Sequence, residues 1–442
     1  MGKRRLPAVL SILVWASSLP AWAQDVPVVR VTLEEAQRRA VDASHRLAEA
    51  RAREAVAQAA VSVREAADRP SLSALAGYTR TNHVLEFTVP SPTGAPRVLY
   101  PDVPDNYHSR LELQWPIYSG GRANALERAA RAEAAAAGAD VAVAQADLRL
   151  EVARAFWAVV TARATVDVLE QGVARSRAHV ADVRERFNAG LVPPNEIASA
   201  EAQESRARML AIEARNQRDA AVAELARLIG LAPGEALEPV ATLDAPAASV
   251  PGVDALLADA RQLRGERRAL ERRLESATDL RAAAAAARRP TLAVAGGVDY
   301  ARPNPRIFPR ADRWDDSWDA SINVRWPLWD SGRTAADVAQ ATGGIEAARR
   351  RLAEFDSVLA VEVRQRILDV ESGLAAVAAA NDAVRAATEA RRVVAERYQA
   401  GVIAQIEVLD AEFALLQAQL DQTRARANVR LSEARLARAI GR

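Results

Sequence analysis

The sequence predicts a mainly α-helical chain with a membrane β-barrel part: long helical hairpins, plus four β-strands that close a barrel only together with other copies. Three observations predict it. Residues 115 to 230 align with residues 326 to 441 without a gap. Each copy contains a very long alanine-rich helical pattern that turns at one glycine. Each copy also carries runs in which apolar and polar residues alternate.

The chain opens with a targeting pattern. Lys3, Arg4 and Arg5 precede an apolar run from Leu6 to Leu19, and Ala21-Trp22-Ala23 supplies small residues before Gln24. That order marks residues 1–23 as a signal peptide, so the protein leaves the cytoplasm. Its removal takes 59 basic residues to 56, against 57 acidic ones. A mature chain so near neutrality has no electrostatic footprint for nucleic acid. Cysteine is absent, which excludes disulfides and thiolate metal sites. Half of the residues are hydrophobic, mostly alanine, with 5% aromatic and 26% charged, a profile of long packed helices. No mature stretch offers about 18 uninterrupted apolar residues, so no helix spans a membrane.

The duplication implies two similar structural units. We place them at residues 24–230 and 253–442, joined by a Pro/Ala-rich linker over 231–252 that can form an equatorial segment. Trp115-Pro116 matches Trp326-Pro327, Gly121-Arg122 matches Gly332-Arg333, and Ile229-Gly230 matches Ile440-Gly441. After one length change, Arg69-Pro70 matches Arg289-Pro290.

Each unit begins with a helical segment, residues 32 to 68 and 253 to 288. Pro70 and Pro290 end them, since proline lacks an amide donor and disfavours helix before it. Alternating segments follow. Leu111, Leu113 and Trp115 fall on one side, with Glu112 and Gln114 on the other; Ile322, Val324 and Trp326 repeat this against Asn323 and Arg325. Period-two runs near ten residues mark strands with one apolar face. Pro/Gly/Asn-rich loops at 89 to 106 and 303 to 316 connect them. Five of the six mature tryptophans, Trp115, Trp314, Trp318, Trp326 and Trp329, lie in or beside these strands. Tryptophan gathers at membrane interfaces because its ring is amphipathic.

Ser119 and Asp330 then open the longest helices as N-caps. Residues 120 to 188 span roughly 100 Å at about 1.5 Å per residue. Leu359, Val363, Ile367, Val370, Leu374 and Val377 recur at coiled-coil spacings of three and four. A helix this long needs neighbours along its length. It ends at Arg186-Phe187-Asn188-Ala189-Gly190 in the first copy and Arg397-Tyr398-Gln399-Ala400-Gly401 in the second. Return helices run from about 195 to 229 and 404 to 440.

Each unit supplies two long strands, and about four strands per chain cannot seal a membrane barrel, whose smallest examples have about eight. Two copies would give a barrel filled by its own side chains; three, with about twelve strands, leave room for water. A conduit therefore favours a trimer.

The signal peptide, the duplicated helix–strand–strand–helix–helix unit, the Trp-Pro…Gly-Arg entry and the Arg-(Phe/Tyr)-x-Ala-Gly tip resemble the TolC family of outer-membrane efflux proteins. The resemblance implies a homotrimer with a twelve-strand barrel in outer-membrane lipid and a twelve-helix periplasmic tunnel. It implies two partners, a periplasmic adaptor and an inner-membrane transporter. The expected function is an exit duct of a tripartite efflux pump, passively conducting small molecules such as drugs. The alternatives are an outer-membrane component of type I protein secretion and a cation or heavy-metal efflux duct. The chain stops at Arg442 without the C-terminal extension some members carry, so contacts by such an extension are expected to be absent.

The candidate sites follow from the tips. Gly190 and Gly401 release the backbone, and exposed Leu191, Val192, Val402 and Ile403 are the adaptor-docking residues the resemblance implies. Glu407 and Asp410, three apart on one helix face, would form carboxylate rings at the periplasmic entrance of a trimer and favour cations. Tyr398 can donate to Glu196, a link the family uses in closing. The family's reinforcing arginine is replaced by Ile403, and Phe187 lacks a hydroxyl, so closure is expected to be weaker and more apolar. Nothing points to catalysis, cofactor or metal: His45, His83, His108 and His179 are scattered, Gly120-Gly121 is no phosphate loop, and no serine has a recognisable base partner. A periplasmic adaptor, with one hairpin and compact β domains, and a poreless coiled-coil scaffold are the rival readings.

Overall fold

Two 67-residue helices dominate the molecule: α3, Arg122–Asn188, and α7, Arg333–Gln399. Each turns back into a 35-residue partner, α4 at Pro194–Leu228 and α8 at Gln405–Ala439. One shift of 211 residues, Arg122 to Arg333, superposes all four sets of limits. This computed structural model of the chain describes residues 28–92, 94–232, 235–244 and 251–442. The expected signal segment, residues 1–23, lies outside them, as do residues 233–234 and 245–250 of the linker.

The first helical segment of each unit is not continuous, contrary to the sequence expectation. Residues 32 to 68 form α1, Leu33–Ala43, and α2, His45–Ala66, with Ser44 extended between them. Residues 253 to 288 form α5, Val253–Leu263, and α6, Gly265–Ala285, with Arg264 extended, followed by a 3₁₀ turn at Ala286–Arg288. Ser44 is both the end of one helix and the cap of the next: its side chain accepts from the Leu47 amide at 3.2 Å.

Four strands form one antiparallel sheet in the order β2 (Ser71–Arg80), β5 (Asp105–Tyr118), β7 (Thr291–Arg302), β8 (Asp315–Arg325). The two units meet between β5 and β7, where Leu111 faces Val298 and Trp115 faces Val294. β2 and β8 are the edges and carry no further strand among the described residues. The expected loop at 89 to 106 is a correction: Phe87–Ser91 (β3) and Gly94–Tyr100 (β4) pair as a short irregular hairpin. Phe87, Thr88 and Val89 opposite Val98 and Tyr100 are β-formers, and their pairing outweighs the prolines between them. β1 (Val29–Val31) runs parallel to β6 (Leu237–Pro239), tying the chain's start to the linker.

The expected N-caps also shift. Helices α3 and α7 begin after Gly121 and Gly332, both left-handed, rather than at Ser119 and Asp330. The predicted side chains still do the capping from two residues further back. Ser119 accepts from the Ala123 amide at 3.2 Å, and Asp330 from those of Gly332 at 3.1 Å and Thr334 at 2.9 Å.

The core is duplicated like the backbone. Leu148, Val152, Phe156, Val159, Leu225 and Ile229 are buried together in the first unit. Leu359, Val363, Ile367, Val370, Leu436 and Ile440 repeat them position by position in the second.

Candidate functional site

Two regions gather the residues with functional chemistry: the helical tips and the sheet at the opposite end of the helices.

At each tip the long helix stops in a Schellman turn, in which amides past the helix bond back to its last carbonyls. Gly190 N donates to Phe187 O at 2.8 Å and Leu191 N to Arg186 O at 2.9 Å; Gly401 N and Val402 N do the same to Tyr398 O and Arg397 O, each at 3.0 Å. Gly190 and Gly401 have φ of 75° and 74°, a conformation that favours glycine. Leu191 and Val402 are exposed at the apex, as expected. Val192 and Ile403 are half-buried, which corrects the expectation of full exposure. Val192 packs with Ile197 onto Val180, Val183 and Ala200. It stands just before the extended Pro193 and meets the fourth residue of α4, the arrangement of a hydrophobic staple. Pro194 at the first helical position suits its fixed φ.

The two tips touch through Tyr398, which is buried between α3 and α4. Its hydroxyl lies 3.5 Å from the Glu196 carboxylate, at the long limit of a hydrogen bond. The Arg186 guanidinium sits over its ring at 4.6 Å from the centroid, and the His179 ring is 5.8 Å away. Burial, then the neighbouring Glu196 charge, raise the Tyr398 pKa against the opposing pull of Arg186. Burial also depresses the His179 pKa, outweighing the carboxylates of Asp182, Glu412 and Glu196, which act the other way; Arg186 acts with burial. Gln405, buried, donates to the Glu196 carbonyl at 3.0 Å, and its side-chain nitrogen lies 3.4 Å from His179 Nε2. Glu407 and Asp410 are both exposed on α8. Arg186, His179 and Gln405 were missed by sequence reasoning. The signal available was their place near the tips, but which face they took depended on how the hairpins pack.

The sheet has two chemically distinct faces. Leu111, Leu113 and Trp115 line up across the register with Val298, Val294, Trp318 and Ile322. At the end near the helices, Trp115 donates to the Asp68 carbonyl at 3.2 Å and its repeat Trp326 to the Arg288 carbonyl at 3.1 Å. At the far end Tyr78, Tyr107, Tyr300 and Trp314 cluster, with Tyr300 and Trp314 stacked at 4.9 Å. Tyr107 and Trp115 are eight residues apart on β5, about 27 Å along a strand. This face thus carries an apolar band between two clusters of aromatic side chains. The other face is polar. Arg110 on β5 reaches Asp299 on β7 at 2.6 Å and Asp319 on β8 at 2.9 Å, and Arg306 also binds Asp319 at 2.9 Å. This charged ladder was legible only as the alternation that sets Glu112 and Gln114 opposite the leucines. No helix among the described residues is long and apolar enough to cross a membrane.

A mostly helical chain with paired hairpin tips at one end and an amphipathic, open-edged sheet at the other defines a membrane-duct class of protein. A family model described as outer membrane efflux protein matches residues 36–231 and 256–442, and the chain belongs to that family. It is 28% identical over 225 residues to Protein CyaE of Bordetella pertussis; the match covers 50% of this chain, which spans about half, 46%, of that protein's length. The fold resembles VceC, an outer membrane protein of Vibrio cholerae, at a TM-score of 0.75, 20% identity and coverage of 92% and 96% of the two chains. It likewise resembles the MtrE outer membrane channel of Neisseria gonorrhoeae in its open state, at a TM-score of 0.75, 22% identity and coverage of 92% and 88%.

Proposed function

We propose that the chain is the outer-membrane exit duct of a tripartite efflux pump, acting as a homotrimer and passively conducting small molecules such as drugs from a periplasmic adaptor and inner-membrane transporter to the exterior. The observation that carries this reading is the two-faced sheet. Its edges β2 and β8 are unpaired among the described residues, and open edges are not tolerated in lipid. Three copies joined edge to edge would present the apolar face to lipid and the Arg110–Asp299–Asp319 ladder to the lumen. The helices, about 100 Å long, would carry the duct across the periplasm. The tips, with Gly190, Leu191, Gly401 and Val402 at the apex and Val192 and Ile403 packed beneath, are the adaptor-docking end. Glu196, Tyr398, Glu407 and Asp410 form the entrance, with Glu407 and Asp410 favouring cations.

Native mass measurement in detergent and planar-bilayer recording test this. A trimer with discrete conductance steps is expected; a water-soluble monomer without conductance overturns the reading. Replacing Leu191 and Val402 with arginine should abolish capture of the cognate adaptor while leaving conductance intact. Loss of the protein should sensitise cells to small toxic molecules. Loss of a secreted polypeptide, or sensitivity confined to metal ions, would instead select one of the two alternatives.

A further inference from the structure

On the polar face of the sheet, Arg110 does not stand upright from β5. It leans across β7 to reach β8, two strand spacings or about 10 Å away. Its Nη1 donates to Asp299 at 2.6 Å and to Asp319 at 2.9 Å, and its Nη2 to the second oxygen of Asp319 at 3.3 Å. Gly297, opposite Asp319 in the register, lies beneath the guanidinium. A Cβ built there would sit 2.8 Å from the guanidinium carbon and from Nη2, and 3.0 Å from the Leu111 carbonyl oxygen. Glycine weakens a strand interior, and its value here is the close approach it permits.

The posture of the side chain shows in its exposure. Arg110 is 23% exposed, whereas Arg325, on the same face of β8 but opposite Thr291, is exposed. His108, two residues away on β5, lies flat in the same manner: its ring covers Gly77 of β2, where a Cβ would overlap it. The other β7 and β8 positions near the ladder are short, Ala295, Ala301, Ser317 and Ser321, so an upright arginine would stand well clear of them. Arg306 joins from the loop after β7 and binds Asp319 at 2.9 Å. Two guanidiniums thus answer two carboxylates. Glu112, 4.0 Å from the Arg110 Nε, adds one carboxylate more.

We infer that Arg110 is the charge-selectivity residue of the barrel and that Gly297 is the cradle that keeps it against the wall. The inference rests on the trimeric duct proposed above, in which three ladders stand at one level of the bore. Laid flat, each guanidinium cancels aspartate charge and takes little of the cross-section. The bore stays wide, with a small cation preference from Glu112. Lifted off the glycine, the same guanidinium projects into the water, narrows the passage and leaves Asp299 and Asp319 without their bidentate partner. A bore walled by protein and lipid focuses the field of each uncancelled charge, so one arginine per chain shifts which ions pass.

Planar-bilayer recording in a potassium chloride gradient tests this, in a Glu407→Gln/Asp410→Asn background that silences the entrance carboxylates. Arg110→Ala should move the reversal potential toward that of potassium. Gly297→Val should lower the single-channel conductance, and adding Arg110→Ala to it should restore the conductance. An unmoved reversal potential in Arg110→Ala overturns the assignment. So does Gly297→Val with the parent's conductance. A double variant that conducts as poorly as Gly297→Val also overturns it, because valine and not arginine then fills the space. If Gly297→Val fails to assemble, Arg110→Ala decides alone. A parent that forms no trimer and carries no current removes the duct reading, whereas a conducting trimer indifferent to Arg110 removes this inference only.

Discussion

The same mechanical joint is built twice in this chain, and the two versions use different physics. At each joint the first helical segment breaks for one extended residue, and the end of a return helix packs into the break. In the first unit the break is Ser44, and Gly230 approaches so closely that an added Cβ would lie 2.6 Å from the Ala43 Cβ. In the second the break is Arg264, and a Cβ on Gly441 would lie 2.7 Å from the Leu263 backbone. Around Ser44 the space is filled by apolar side chains, with Phe156 and Val152 fully buried and Val31 and Leu237 closing the top through the β1–β6 pair. Around Arg264 it is filled by charge. Arg264 is 6% exposed, and its guanidinium donates to the Ala439 carbonyl at 3.1 Å and to Glu266 and meets Glu362 at 3.2 Å. Arg438 extends the network to Glu266 at 2.6 Å and Asp147 at 2.7 Å. Backbone geometry is thus conserved between the units while the means of holding it is not. A buried cation capping the last carbonyls of a helix substitutes for a larger apolar core.

The widest gap between the joints should appear on truncating the apolar one. Phe156→Ala should destabilise by about 4 kcal/mol through lost burial and the cavity left behind. Its image Ile367→Ala removes fewer atoms and should lower the unfolding temperature less; equal losses in thermal melts would break the comparison. Next, Arg264→Ala should destabilise by about 3 kcal/mol, because it leaves Glu362 and a helix end without their cation. Ser44→Ala, at the matching position, should lose only about 1 kcal/mol, a capping bond. A Ser44→Ala loss as large as that of Arg264→Ala would show the two breaks to be equivalent.

Acid should then separate the joints further. Burial would raise the Glu266 pKa, but the hydrogen bond from Arg438, its own amide and the charges of Arg264 and Arg438 outweigh this and hold it below its ordinary value of 4.5. A carboxylate with a depressed folded pKa adds stability above its unfolded pKa and loses that contribution as pH falls through the folded value. Stability should therefore drop between about pH 5 and about pH 3, and Glu266→Gln should start lower but flatten that drop. A Glu266→Gln profile parallel to the parent would exclude the network as its source. The smallest effect belongs to the exposed Arg30–Glu238 pair, 2.9 Å apart across β1 and β6. Arg30→Ala should change stability by less than about 0.5 kcal/mol, because solvent screens the pair.

Much of this was legible in residue order. The gapless repeat determined that the long helices would have equal lengths, and glycine after each tip determined the turn. Alternation at Leu111, Leu113 and Trp115 determined a sheet with one apolar face. These are local or self-referential signals: spacing, caps and periodicity act through neighbours along the chain. Tertiary structure decided the rest. It selected β5 against β7 as the join between units, set Arg110 against Asp299 and Asp319, buried Tyr398 while leaving Phe187 in the open, and turned Val192 inward. It also folded the expected loop at 89 to 106 into a hairpin and made Arg264, one arginine among many, the capping cation of a distant helix. Most of these depend on which faces meet across long separations, 209 residues for Arg110 and Asp319. Two copies of one pattern carry the same local instructions, and only packing against different neighbours makes them diverge.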